Sequence, residues 1–227
     1  MNTRIYSLLA LALSVACCLA RAGEAECIVP SKPGGAMDLT CKLAQKSLPT
    51  KMRLSYLPGG IGAVAWHTMG SQRGAEGDTL VAFSGGSLLN LAQGKFGKAG
   101  PGDVRWVAAL GADYGMIAVR SDSPFHSLAD LLAALKRDPK QVLIGVSGTI
   151  GSQDWLKMAL VAQKAGIDPK VLRFVALEGG GEAFTAMHAN HVQVVSGDAS
   201  EATLYAADGN TRVLAVLSAQ RLPGVLA

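Results

Sequence analysis

The chain has 227 residues, 49% of them hydrophobic, with 21 basic and 17 acidic side chains and a net charge of +4. Such a near-balance argues against nucleic acid or an anionic membrane surface as a partner. The length suffices for one sizeable core or two small ones, and no repeat or low-complexity tract interrupts it.

At the N-terminus Arg4 precedes a largely apolar stretch from Ile5 to Leu19, and Ala20-Arg21-Ala22 follows as a small-x-small cleavage pattern. Residues 1–22 therefore read as a secretory signal peptide. About 20 apolar residues would be needed to cross a membrane, and polar sequence follows at once. A core helix there would lack caps and a polar face. A lipoprotein signal ending at Cys17 or Cys18 is disfavoured, because Ser14 stands where a branched aliphatic is required. Cleavage removes Arg4 and Arg21, leaving 19 basic against 17 acidic residues. It also leaves two cysteines, Cys27 and Cys41. In an oxidising compartment such a pair favours a disulfide over two buried free thiols, and no histidine lies nearby in sequence to suggest a metal.

The mature chain repeats one grammar: a short apolar run, a glycine-rich turn, then a helical pattern. It appears in "IVPSKPGGAMDLTCKLAQKSL", in "LSYLPGGIGAVAW", where Ala63-Val64-Ala65 open the packed face of a helix, and in "TLVAFSGGSLLNLAQ". Then the rhythm breaks. "VRWVAALG" and "GMIAVRSD" are two strand-like runs with no helix between them, which places a domain boundary near Ser121 to Pro124. The first lobe is then 23–122 and the second 123–217, with 218–227 starting a return towards the first. In the second lobe Ser127 caps a helix and Asp130 completes a capping box. Leu128, Leu131, Leu132 and Leu135 fall on one face before Pro139 stops it. A strand from Val142 to Val146 leads through "SGTIGSQD" to a helix from Gln153 to Lys164, stopped by Gly166. The pattern recurs with strand Leu172 to Leu177, helix Glu182 to Ala189, strand Val192 to Val195, helix Ser200 to Ala207 and strand Val213 to Leu217. Continuous apolar strands alternating with helices predict an α/β fold with parallel sheets covered on both faces.

Five turns share one chemistry: Pro33-Gly34-Gly35, Pro58-Gly59-Gly60, Ser84-Gly85-Gly86-Ser87, Gly148-Thr149-Ile150-Gly151-Ser152 and Glu178-Gly179-Gly180-Gly181. At strand carboxyl ends such turns expose backbone N–H groups and helix N-termini, a setting for an anion. Each glycine pair is also accounted for by a tight turn alone. Gly60-x-Gly62-x-x-Ala65 has the spacing of a dinucleotide fingerprint. The acidic residue that should end the second strand is missing, however, since Asp78 precedes Thr79 to Phe83. There is no phosphate-binding P-loop motif. A hydrolase acting through Ser147 or Ser152 with His188 or His191 lacks the G-x-S-x-G elbow. His188 and His191 sit three apart with no third ligand, so they read as surface residues rather than a metal site. Asp38, Glu178 and Asp198 border the turns, either as caps and turn acceptors or as groups orienting a ligand or water.

"IVPSKPGGAMDLTCKLAQ", "LPGGIGAVAW", "VAFSGGSLLNLAQGKFG", "VRWVAALGADYGMIAVRSDSPF", "GTIGSQDW", "EGGGEAFTAM" and "VVSGDASEA" together resemble the substrate-binding receptors of tripartite tricarboxylate transporters, the Bug-type receptors. The resemblance covers the mature chain from Cys27 to Ala227. It implies a type II periplasmic-binding-protein fold, two α/β lobes around a cleft that captures a small, citrate-like di- or tricarboxylate for a membrane permease. It also implies a periplasmic monomer without cofactor, metal or catalytic residues. The ligand contacts it implies are Pro33, Gly34, Gly35, Asp38, Gly59, Gly60, Gly62, Ser84, Ser87, Thr149, Gly151, Ser152, Glu178, Gly179 and Asp198. Family members continue beyond the point where this chain stops at "AQRLPGVLA", so the first lobe is expected to be incomplete and to expose apolar surface. A secreted serine hydrolase and a carboxylate sensor for a signalling partner are the alternative readings.

Overall fold

The computed structural model describes residues 24–70 and 77–223. The expected signal peptide, residues 1–22, lies outside them. Three strands, β1 (Ala25–Val29), β2 (Met52–Tyr56) and β3 (Thr79–Val81), form a parallel sheet in the order β2-β1-β3. Helices α1 (Ala36–Ser47), α2 (Ala63–Thr68) and α3 (Gly85–Ala92) follow these strands in turn. β1 is central, and Cys27, Ile28 and Val29 are accordingly buried. Cys27 and Cys41 form a disulfide that ties β1 to α1, within a cluster that also holds Val29, Ala44, Met52 and Ala82.

The second sheet has five strands: β4 (Gly115–Arg120), β5 (Leu143–Ser147), β6 (Arg173–Leu177), β7 (Val194–Asp198) and β8 (Thr211–Leu217), ordered β6-β5-β7-β4-β8. Helices α4 (Leu128–Arg137), α5 (Gln153–Lys164), α6 (Gly180–His188) and α7 (Ala199–Ala206) cover it. One apolar cluster, with Ile117, Leu131, Leu135, Ile144 and Met158, joins α4 and α5 to the sheet. A second, with Met116, Phe184, Met187 and Val195, joins α6 and α7 to it. The sheet is thus buried on both faces, as the unbroken apolar runs of its strands require. The expected Ser127–Asp130 capping box is present, each residue bonding the other's backbone amide.

The structure departs from the expected elements in several places. β4 runs antiparallel to both neighbours, β7 and β8, because the chain reaches it directly from the first sheet and not through a covering crossover helix. β4 belongs to the five-stranded sheet, so the change of sheet falls within 104–114, ahead of the boundary expected at Ser121 to Pro124. The run "VRWVAALG" is not a strand, and Trp106, Val107 and Leu110 are exposed, since no described strand pairs with it. α6 begins at Gly180 and β7 extends to Asp198, so glycines expected in turns lie within regular structure. Ala65 is buried but Val64 is 44% exposed, because successive helical residues point about 100° apart. Residues 218–223 carry no helix or strand.

Replacing Cys27 and Cys41 by alanine frees a loop of sequence separation 14. The expected cost is about 3 kcal/mol, read as a lowered urea midpoint relative to the oxidised chain.

Candidate ligand-binding site

Parallel pairing brings the carboxyl ends of β1, β2 and β3 to one edge of the first sheet, and those of β5, β6 and β7 to one edge of the second. β4 starts at that second edge, where Gly115 lies opposite Asp198 and Leu217. The glycine turns of the two lobes meet there.

After β1 the chain turns through Pro33, Gly34 and Gly35 into α1. Asp38 braces this turn from behind. It is wholly buried and accepts hydrogen bonds from the Gly34 amide (2.7 Å), Lys42 Nζ (2.7 Å) and Tyr56 Oη (2.8 Å). Burial alone would raise its pKa, but Lys42, the Gly34 amide and Tyr56 hold it below the usual carboxylate range. After β2, Gly59, Gly60, Ile61 and Gly62 all have positive φ, including the β-branched Ile61 at +56°. That conformation is rare for such a residue. Here it turns Ile61 onto the second lobe, where a Cβ at Gly148 would lie 2.3 Å from its Cδ1. A Cβ at Gly62 would make only ordinary contacts, 3.4 Å from Phe83 and 3.6 Å from Pro30, so it is the left-handed φ of +96° that favours glycine there.

Ser84 caps α3 and Ser87 reciprocates. Ser152 caps α5 through the Trp155 amide, and Thr149 is exposed. The lobes touch along these turns. The Lys32 amide donates to the Glu178 carbonyl (3.2 Å), and Lys32 Nζ pairs with Glu182 (2.6 Å). Gln93 and Lys95 reach the carbonyls of Gly151 (3.1 Å) and Ile150 (3.0 Å). Gly179 packs over Ser31 and Lys32 with φ of +141°. Glu178 thus meets the other lobe through its backbone, and its own amide donates to Glu182.

Four residues absent from the expected set organise the seam. Lys157, 11% exposed, lies between Asp154 (2.7 Å) and Asp198 (2.6 Å) and also donates to the Gly197 carbonyl. Asp198 is therefore engaged by Lys157 and by Gln153, whose amide donates to it at 3.3 Å. Burial, opposed by Lys157, pushes the Asp154 carboxyl up to about 6. Glu201 reaches from α7 to the Ala36 amide of α1 at 2.8 Å. Burial, with Asp198 and Asp154 nearby, raises it to about 8. Tyr205, stacked on Phe184, brings its hydroxyl 2.5 Å from where a Cβ at Gly34 would be. Nothing local marks these side chains: Glu201 reads as an ordinary first-turn acid, and Lys157 as a helix-surface lysine. An apolar groove of about 670 Å³ lined by Leu89, Leu128, Leu132, Leu156 and Leu160 runs along α5 and takes in Gln153 and Lys157.

His188 bonds Thr211 through its ring (2.9 Å), and among the described residues no cluster of three or more His, Cys, Asp or Glu is placed to hold a metal ion.

The family model described as the tripartite tricarboxylate transporter family receptor matches residues 95–226. The chain belongs to this receptor family. Its fold is that of type II periplasmic binding proteins. The receptor superposes on MatC of Rhodopseudomonas palustris, solved with bound malate, with a TM-score of 0.74 at 18% identity, covering 87% of this chain and 67% of that one. The periplasmic binding protein BugD gives 0.70 at 15% identity, over 88% and 67%. A TctC solute-binding protein from Polaromonas is 28% identical, with a TM-score of 0.51 over 87% and 67%. Comparison with curated proteins gives no match.

Two consequences are measurable. Lys157→Met leaves Asp154 and Asp198 buried without their cation and is expected to cost about 3–5 kcal/mol in urea unfolding. Folding raises the pKa of Glu201 from 4.5 to about 8 and of Asp154 from 3.8 to about 6. The stability these acids contribute is complete below their unfolded values and is lost as pH rises through 6 and towards 8. Thermal midpoints should fall across that window, and less steeply in Glu201→Gln.

Proposed function

We propose that this receptor captures a small di- or tricarboxylate between its lobes and delivers it to the membrane permease of a tripartite tricarboxylate transporter. The observation that carries the reading is the meeting of glycine turns from both lobes at one seam, where a backbone amide of α1 already holds a carboxyl. MatC of R. palustris was solved with malate and another R. palustris protein with adipate, both dicarboxylates.

The residues divide by what their atoms are free to do. Pro33, Gly34, Gly35, Gly59, Gly60, Gly62, Thr149, Gly151 and Gly179 present backbone to the ligand, apart from the Gly34 amide, which Asp38 holds, and the Gly151 carbonyl, which Gln93 holds. Asp38, Ser84, Ser87, Ser152 and Asp198 hold the turns in place through bonds they already make. Glu178 contributes its backbone, which bridges to Lys32. A contact to a helix N-terminus contributes roughly 0.3–2 kcal/mol, so several must converge on one ligand. The lobes part to admit it and shut to exclude water, with the hinge in the segment 104–114 that joins the sheets. Export by the segment 1–22 places the receptor in the periplasm, where it works as a monomer without a cofactor.

Titration of the purified chain with malate, adipate and citrate tests this. Saturable binding without turnover is expected. At a hundred times Kd the bound acid should stabilise the fold by about 2.7 kcal/mol in thermal denaturation. Absence of any shift with all three acids, or ester hydrolysis abolished by Ser152→Ala, would refute it.

A further inference from the structure

The Glu201 carboxyl lies between the lobes, and among the described residues no cation pairs with it. It is 3% exposed. One oxygen accepts from the Ala36 amide of the first lobe at 2.8 Å, and the other from the Asp198 amide of the second at 3.3 Å. Glycines from both lobes make its space. A Cβ would come within 2.1 Å of it at Gly180, 3.1 Å at Gly197 and 3.3 Å at Gly35.

The charged groups on the elements packed around it are already committed. Asp198 at the end of β7 and Asp154 on α5 share Lys157. Asp38 on α1 has Lys42, and Glu182 on α6 has Lys32. On its own helix only the Tyr205 phenol approaches, itself pushed up by burial, Glu201 and Asp38. Burial, with Asp198 and Asp154 nearby, raises its pKa to about 8, and among the described residues no uncommitted cation stands by to balance an ionised Glu201. A neutral carboxyl carries one O–H. Both groups bonded to it here are N–H donors, so they occupy acceptor sites and leave the O–H unspent.

We propose that Glu201 determines which ligands the seam accepts, its neutral carboxyl donating the O–H to a carboxylate oxygen of the ligand. The inference rests on the carboxylate reading of the seam. A carboxylic acid kept neutral by its site is an effective donor to an oxyanion, and an O–H donor to a charged oxygen makes a short, strong hydrogen bond. Ionisation abolishes the donor and sets two negative charges against each other. Binding is thereby tied to one proton.

Malate and adipate titrated into the wild-type, Glu201→Gln and Glu201→Ala chains between pH 6.5 and 9.5 provide the test. Wild-type affinity should hold level at the acid end and fall above about pH 8, approaching tenfold per pH unit. Glu201→Gln keeps an N–H donor that cannot ionise, so it should bind with no such fall. Glu201→Ala should bind weakly throughout. The proposal is overturned if Glu201→Gln falls in step with the wild type, or if Glu201→Ala matches the wild type at every pH. A wild-type chain that binds neither acid at any pH removes the carboxylate reading as well, whereas wild-type binding with an unaltered Glu201→Gln profile removes only the role of Glu201. Circular dichroism and melting of each variant separate loss of the fold from loss of the donor.

Discussion

Where Pro33 and Gly34 lie against Gly180 and Gly181, no side chain separates the two backbones, and a Cβ at Gly181 would stand 2.3 Å from the Pro33 carbonyl. The seam depends on this close approach. It brings the first turn of α1 within reach of α7, so that Ala36 can bond Glu201. It also places the Lys32 amide on the Glu178 carbonyl. Glycine at these positions serves steric closeness as much as turn geometry.

Charge in the seam is arranged to be used up. Lys157, largely shielded from solvent, is divided between Asp154 and Asp198. Asp38 is consumed by Lys42, Tyr56 and the Gly34 amide. These acids hold the turns through the bonds they make, and burial, with Asp198 and Asp154 nearby, raises the Glu201 carboxyl well above the usual carboxylate range. An uncommitted cation would bind any anion strongly.

Much of the architecture was legible because it is written in local patterns. The leucine spacing from Leu128 to Leu135 and the Ser127–Asp130 box located α4, and the helix Gln153–Lys164 was found with the bounds it has. The ordered motifs pointed to the family that the match over 95–226 shows. "VRWVAALG" misled because an apolar run looks alike whether it pairs or stays unpaired. The direction of β4 was hidden because a continuous apolar run reads the same whichever way the strand points. In the seam the glycine turns were visible, yet the side chains that organise it were not. Lys157 and Asp198 are 41 residues apart, and Ala36 and Glu201 are 165 apart.

The sequence by itself determined the α/β grammar, the cysteine pair and the set of glycine turns at strand ends, because each is settled by neighbours a few residues away. Only the tertiary structure decided which of those turns face one another, that Asp38 and Asp198 are braces, that Ile61 takes a left-handed conformation against Gly148, and that Glu201 is the buried carboxyl between the lobes. Those outcomes depend on how two sheets are brought edge to edge. The burial and charge that fix a carboxyl's protonation exist only once distant segments have closed around it.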